Sequence, residues 1–287
     1  MPPVAIILNF VNEIFQLSMS MKVRHLITQM VEVNYMVNFR LEGKTALVTG
    51  ASRGIGQALA LALASSGAFV ICASSRLGGC DETLRKIQSQ GGQAMALDGD
   101  LADANAVVKL AEDALSVKGH IDILLNNGGT IFRAPATDFP FEEWRNVLAV
   151  NIDSAFLLSQ AIGKTMVERE QGKIINIASM LSYTGGITVP AYTASKHAIA
   201  GLTKALANEW GQHNVQVNAI APGYIKTDNT QALQDDAKRS AEICARIPAN
   251  RWGESDDLAG AAVFLASAAS NYVNGHILAV DGGFLAR

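Results

Sequence analysis

From Leu41 onward, short apolar runs alternate with longer stretches in which apolar side chains return every third or fourth position. The first pattern suits strands buried on both faces, and the second suits helices with one covered side. Strands are expected near 45–49, 69–73, 93–97, 121–125, 172–178, 215–220 and 276–280. Helices are expected near 55–66, 81–90, 103–118, 141–149 continuing as 153–169, 190–212, 230–246 and 255–268. This alternation implies an α/β fold: a single-domain, doubly wound parallel sheet of about seven strands with helices on both faces. Ligands of such sheets bind at the carboxyl ends of the strands, near the switch in strand order. The stretch 223–253 is a long insertion before the last helix and strand, and is the natural lid over a substrate.

The run Leu47-Val48-Thr49-Gly50-Ala51-Ser52-Arg53-Gly54-Ile55-Gly56 joins the first expected strand to the first expected helix. Its spacing is Gly-x-x-x-Gly-x-Gly. Glycines at such a junction let the backbone turn tightly and approach a pyrophosphate, which rests at the helix N-terminus. Taken alone, the run is equally a glycine-rich turn in any α/β protein. A second constellation is Tyr192 and Lys196, four residues apart on one helix face, with Ser179 at the end of an apolar strand. A neighbouring ammonium favours the phenolate, so the tyrosine pKa is expected to fall from about 10 toward neutrality. Such a phenol is a general acid/base for a hydroxyl oxygen, and a serine hydroxyl can hold the same oxygen. The plain alternative is a surface tyrosine and lysine on an ordinary helix.

Together these residues resemble the short-chain dehydrogenase/reductase family, from about Leu41 to Arg287. The motifs occur in order: the glycine run, Asp100-Leu101, Asn126-Asn127-Gly128-Gly129, Asn151, Ser179, Tyr192, Lys196, Pro222-Gly223 and Thr227. The third motif departs from the family's Asn-Asn-Ala-Gly by one methyl, at Gly128. The resemblance implies a Rossmann-type fold and an NAD(P)-dependent oxidoreductase that interconverts a secondary alcohol and a ketone. It implies a catalytic set of Asn151, Ser179, Tyr192 and Lys196. It also implies cofactor contacts from Gly50, Ser52, Arg53, Gly54, Ile55 and Gly56, and from Ser74, Ser75 and Arg76. Further contacts are implied for Asp100, Leu101, Asn127, Gly128, Tyr192, Lys196, Pro222, Gly223, Ile225 and Thr227. No metal is needed for this chemistry.

The second strand bears on the choice of cofactor. It ends at Ser74-Ser75-Arg76, where an NAD enzyme usually places Asp or Glu on the ribose hydroxyls. Arg53 and Arg76 suit a 2′-phosphate, since arginine makes paired contacts to phosphate. NADP(H) is therefore placed modestly ahead of NAD(H); the alternative is that the arginines are solvated and the serines serve NAD. The C-terminal half is similar to a sugar-acid branch, the 2-deoxy-D-gluconate 3-dehydrogenases, also called 2-dehydro-3-deoxy-D-gluconate 5-dehydrogenases. The resemblance is carried by 177–182, 185–187, 189–190, 221–224, 228–230, 246–253 and 272–283. Many members of that branch prefer NAD, so the two hints pull apart. A sugar acid needs a cation for its carboxylate, and Arg133 and Arg251 are the candidates, with Met180 and Tyr224 as further substrate contacts. The competing functions are a carbonyl reductase of the 3-oxoacyl-carrier-protein type and a nucleotide-binding scaffold without catalysis.

Composition narrows the partners. Net charge is −3, so no basic field points to nucleic acid. Charged residues are 17% and hydrophobic residues 49%; a soluble protein usually carries about 25% charged residues, so the surplus suggests buried subunit contacts. The family resemblance makes a homotetramer the expectation. Cys72, Cys80 and Cys244 have no metal spacing and cannot all pair, which suits a reducing cytoplasm. The five histidines are scattered and read as structural or surface residues. Residues 1–38 read as an N-terminal extension ahead of the 39–287 domain. The extension is too polar to span a membrane and lacks a signal-peptide pattern. Its apolar side chains, from Ile6 to Leu17, suit one side of an amphipathic helix, and an over-long start before Met36 is the blander account.

Overall fold

The first strand, β1 (Thr45–Thr49), is flanked by β2 (Phe69–Ser74) on one side and β4 (Ile123–Asn126) on the other. This is the switch point of a seven-stranded, all-parallel sheet ordered β3-β2-β1-β4-β5-β6-β7. The remaining strands are β3 (Gln93–Asp98), β5 (Gly172–Ile177), β6 (Val215–Pro222) and β7 (Ile277–Val280). The computed structural model describes residues 37–287, and Phe39–Arg287 cluster as one unit. The readings made for residues 1–36 lie outside the described residues.

Both faces of the sheet are covered, so neighbouring residues on each central strand enter opposite cores. Val48, Val70, Leu125 and Ile175 pack with Leu59 and Leu63 of α1 (Gly54–Ser65) and with Leu265 of a late helix. Leu47, Ile71, Leu124 and Ile174 point the other way, onto Leu110 of α3 (Ala104–Lys118) and Leu158 and Ile162 of α5 (Ser154–Glu168). This double burial is why these strands read as continuous apolar runs. The helices between are α2 (Asp81–Ser89) and α4 (Phe141–Leu148). Chemistry local to the chain sets their ends: Asp103 caps α3 by accepting from the Asn105 N–H at 2.9 Å, and Gly119 closes it with φ +77°.

Several boundaries depart from the sequence reading. The expected helix at 230–246 is α7 (Gln231–Asp235) and α8 (Ala237–Arg246), because Asp236 leaves helical geometry and caps the second by accepting from Arg239 N–H. The expected helix at 255–268 is a 3-10 turn, Ser255–Leu258, followed by α9 (Ala259–Ala266). Between α4 and α5 the chain does not break; Ala149–Asp153 forms a π-helical turn, a widening that recurs at functional sites. Strand β4 is assigned from Ile123 rather than 121, although the Asp122 backbone already bonds to Thr45 and Lys173.

Asp122 is a buried carboxylate at the amino ends of the strands. It accepts from the Thr45 N–H at 2.9 Å and from Arg169 at 3.0 Å, with His120 at 3.4 Å and Lys44 at 3.7 Å. Burial pushes its pKa up, but the Thr45 amide and the surrounding cations outweigh burial and hold it below the usual carboxylate range. The folded pKa lies below the unfolded one. Its contribution to stability is therefore full above about pH 5 and drains away as pH falls below about 4. Asp122→Asn is expected to cost about 1.5–3 kcal/mol, the range for hydrogen bonds to charged groups. Chemical denaturation at pH 7 and pH 3.5 checks this. The gap between the variant and the parent should be narrower at the lower pH, and an equal gap at both would refute the assignment.

Candidate active site

At the carboxyl end of the sheet, β1 opens into the glycine run. Gly54 has φ +54°, and Gly56 lies so close to the Gly50 carbonyl that no side chain fits there. The run is tied across the switch point. Thr49 Oγ1 accepts from the Asn127 N–H at 3.0 Å and the Gly128 N–H at 2.9 Å. The Asn127 side-chain amide donates to the carbonyls of Thr49 and Gly50. Thr49 was not singled out from the sequence, although its place directly before Gly50 is the signal that could have found it. Gly128 has lost the family's methyl, and the space is not empty: a Cβ there would run into Leu101 Cδ1.

The second strand ends beside the same helix N-terminus. Ser52, Arg53, Ser74, Ser75, Arg76 and Gly79 line a cavity of about 230 Å³ with no acidic residue in its wall. Ser74 Oγ donates to the Arg76 carbonyl at 3.0 Å and so shapes the turn. Arginines and hydroxyls at a helix N-terminus suit a phosphorylated ribose, and the closed-in glycines suit a pyrophosphate. The residues present fit a dinucleotide. Asp100 is exposed and accepts from Ala102 N–H, placing it at the end of β3 as the motif implies.

The proton-handling residues converge on the end of β5. Helix α6 (Pro190–Trp210) starts with proline at its first turn, where the missing N–H costs nothing. Lys196 is only 4% exposed, and its amine donates to the Ile177 carbonyl at 2.6 Å. Its nitrogen lies 5.5 Å from the centre of the Tyr192 ring. Ser182 Oγ receives the Ser179 N–H at 3.3 Å and donates to the Lys196 carbonyl at 2.6 Å, locking strand end to helix. The Ser179 hydroxyl interacts with the Tyr192 phenol. Asn151, within the π-helical turn, accepts from the Thr130 N–H at 2.8 Å and donates to the Thr130 carbonyl and to Ser195 Oγ. It thus fixes the turn after Asn127 against the helix that carries Tyr192.

One expectation is corrected. Tyr192 was expected to be pulled toward neutrality by Lys196. Burial instead raises its pKa, and the Ser179 hydrogen bond and the Arg133 charge offset this only in part. The lysine faces the ring and gives its hydrogen bond to the Ile177 carbonyl, and its charge does not outweigh burial at the phenol. Lys196 itself is lowered to about 8 by burial.

A cleft of about 560 Å³ opens over these groups. Its wall contains Ser179, Tyr192, Met180, Tyr224, Ile225, Pro222, Gly223, Thr227 and Arg133. It also contains Arg239 and Arg246 from α8. Arg246 lies over the Phe284 ring, 4.5 Å from its centre. Arg251 is not in this wall. It makes a two-pronged ion pair with Asp257, at 2.7 and 2.8 Å, so the structure returns it to a structural role. That pairing holds Asp257 down to about pH 2.

The adh_short_C2 family model, described as enoyl-(acyl carrier protein) reductase, matches residues 50–285. The chain belongs to the short-chain dehydrogenase/reductase family. It is 55% identical to 2-dehydro-3-deoxy-D-gluconate 5-dehydrogenase of Bacillus subtilis (strain 168), across 87% of this chain and 97% of that protein. A solved structure from Agrobacterium tumefaciens with bound NADP is described as a candidate 2-deoxy-D-gluconate 3-dehydrogenase. It is 51% identical with a TM-score of 0.82, across 88% of this chain and all of that one. A gluconate 5-dehydrogenase from Burkholderia cenocepacia J2315, in complex with NADP and tartrate, is 41% identical with a TM-score of 0.84. That match covers 88% of this chain and 98% of the other. The short-chain dehydrogenase fold places the 223–253 insertion of this chain, with α7 and α8, beside the cleft.

Removing the phenol tests the site. Tyr192→Phe is expected to lower kcat about a hundredfold to ten-thousandfold, with cofactor affinity retained. If Tyr192 is the proton donor and acceptor, its phenol must be ionised for alcohol oxidation and protonated for ketone reduction. Burial holds that phenol above its ordinary value, so oxidation should rise and reduction should fall only as pH climbs into the alkaline range. Opposed pH profiles for the two directions, measured by steady-state kinetics, are the expected result; parallel profiles would remove the phenol from the proton step.

Proposed function

We propose that this chain is an NAD(P)-dependent oxidoreductase that interconverts a secondary alcohol and a ketone on a deoxy- or keto-sugar acid. The observation that carries the substrate class is the charge of the cleft. Arg133, Arg239 and Arg246 line it, and no aspartate or glutamate does. A cleft walled by one sign of charge concentrates ligands of the other sign. The relatives named for sugar acids, and the one holding tartrate, agree with an anionic substrate.

The cofactor supplies or takes up the hydride at the substrate carbon. Tyr192 donates a proton to the carbonyl oxygen in reduction and removes the hydroxyl proton in oxidation. Ser179 holds that oxygen beside the phenol. Lys196, buried without a carboxylate, exchanges its proton near about pH 8 and keeps the neighbouring phenol in register. Asn151 anchors the turn that carries the cofactor-facing Asn127. Arg133 is the proposed carboxylate partner, because its charge reaches Tyr192 and it lies at the reacting end of the cleft.

NADP(H) is the favoured cofactor, on the Arg53 and Arg76 cavity and the NADP found in relatives. A homotetramer is favoured by exposed Val108, Phe141 and Phe156 on helices α3, α4 and α5. A cytoplasmic location is favoured by cysteines that are all unpaired. Among the described residues, no helix is long and apolar enough to cross a membrane.

Arg133→Met preserves part of the apolar stem and removes the cation. KM for a C6 deoxy- or keto-sugar acid is expected to rise at least about tenfold, while turnover of the matching neutral sugar stays poor and nearly unchanged. Steady-state kinetics on both substrates check this. Equal effects on acid and neutral sugar would remove Arg133 as the carboxylate partner. Faster reduction of acetoacetyl thioesters than of any sugar acid would favour the carrier-protein reading instead.

A further inference from the structure

We propose that Asp228 sets cofactor selectivity: its carboxylate competes with the 2′-phosphate of NADP(H) for the guanidinium of Arg53. The inference rests on the reading of the Arg53–Arg76 cavity as the 2′-phosphate site. Arg53 stands at the start of α1 in an extended conformation and lines that cavity with Ser52, Ser74, Ser75 and Arg76. It is not free. Its Nε lies 2.9 Å from Asp228 Oδ2, and both side chains are exposed, 70% and 71%.

The acid is held where it is. Thr227 N–H donates to Thr230 Oγ1 at 3.1 Å and Thr230 N–H to the Thr227 carbonyl at 3.0 Å, so 227–230 is a closed turn. The same turn abuts the glycine run, since a Cβ on Gly54 would lie 3.5 Å from the Thr227 methyl. The turn therefore carries Asp228 to the rim of a cavity whose wall has no acid, and its exposed carboxylate reaches Arg53 from there. It acts in two ways against a phosphate: it occupies one edge of Arg53, and it repels the incoming dianion. An exposed ion pair is weakly held and salt-screened, so the phosphate can displace it, at a cost in affinity. NAD(H) has no phosphate at this position and feels neither effect. Two roles compete for Asp228. As a guide it would orient Arg53 toward the phosphate; as a rival it would withhold it. The dianion interacts with the carboxylate at full charge, whereas the orienting gain of an exposed pair is small, so the rival role prevails.

The consequence is a chain that keeps both cofactors usable. The segment is also shared, because Arg133 reaches the Asn229 carbonyl at 3.5 Å. The turn thus touches one arginine of the cofactor cavity and one of the substrate cleft.

The test compares the parent protein, Asp228→Asn, Asp228→Glu, Arg53→Met and the Asp228→Asn/Arg53→Met double variant. Dissociation constants for NADPH, NADH and 2′,5′-ADP are measured by fluorescence and calorimetry at low and high salt. Asp228→Asn is expected to tighten NADPH and 2′,5′-ADP about three- to tenfold and leave NADH within about twofold, with the gain shrinking at high salt. Asp228→Glu should keep the parent's ratio. The gain should shrink in the Arg53→Met background, where only the direct repulsion between Asp228 and the phosphate is left to relieve. If Arg53→Met weakens NADPH but Asp228→Asn leaves it unchanged or weaker, the competition is overturned and the 2′-phosphate reading stands. If Arg53→Met leaves NADPH binding untouched, the 2′-phosphate reading falls and the competition falls with it. A gain of equal size for NADH would also overturn it, since the effect would then be general charge and not the phosphate.

Discussion

The hydrogen bond from the Lys196 amine to the Ile177 carbonyl joins the middle of the reactive helix to the last residue of β5. An amine this buried needs a polar partner, and the carbonyl at a strand end is the one available. Ser182 completes the joint from the other side by donating to the Lys196 carbonyl. Helix α6 is thereby fixed in rotation about its axis. Tyr192, one turn earlier, then faces Ser179 across the mouth of the cleft. Burial also depresses the lysine to about 8, so the same contact that positions the group makes it able to exchange a proton.

Around that joint the fold separates two electrostatic tasks. The amino ends of the strands hold a buried anion, Asp122, surrounded by cations, and that end is closed. The carboxyl ends hold the open cleft, lined by Arg133 from the turn after β4 and by Arg239 and Arg246 of α8, of which Arg239 is paired with Glu242 at 3.1 Å. A positive cleft in a chain of net charge −3 is a local arrangement and not a reflection of composition. That is why overall charge says nothing about the substrate.

Strand positions and the glycine run were legible because double burial and tight turns leave residue-type signatures that need no tertiary information. Tyr192, Lys196 and Ser179 were legible for the same reason: their spacing is local to one helix and one strand end. The rest depended on contacts between distant segments. Arg251 reads as a free cation until Asp257, on the next turn, takes it. Nothing in the spacing of Arg239 and Arg246 points to the cleft, and only the placement of α8 beside it brings them into the wall. The direction of the Tyr192 shift was missed because spacing reveals a neighbouring charge but not the thickness of protein around it.

Leu101 and Gly128 show how one small residue hands its space to a neighbour. The tip of the leucine side chain occupies the place that a methyl at 128 would take. The contact is between a backbone turn and the far end of a flexible side chain, so an alanine at 128 requires Leu101 to swing to another rotamer. The turn after β4 and the loop after β3 are thereby coupled: a change of one methyl in the first is felt as a side-chain movement in the second.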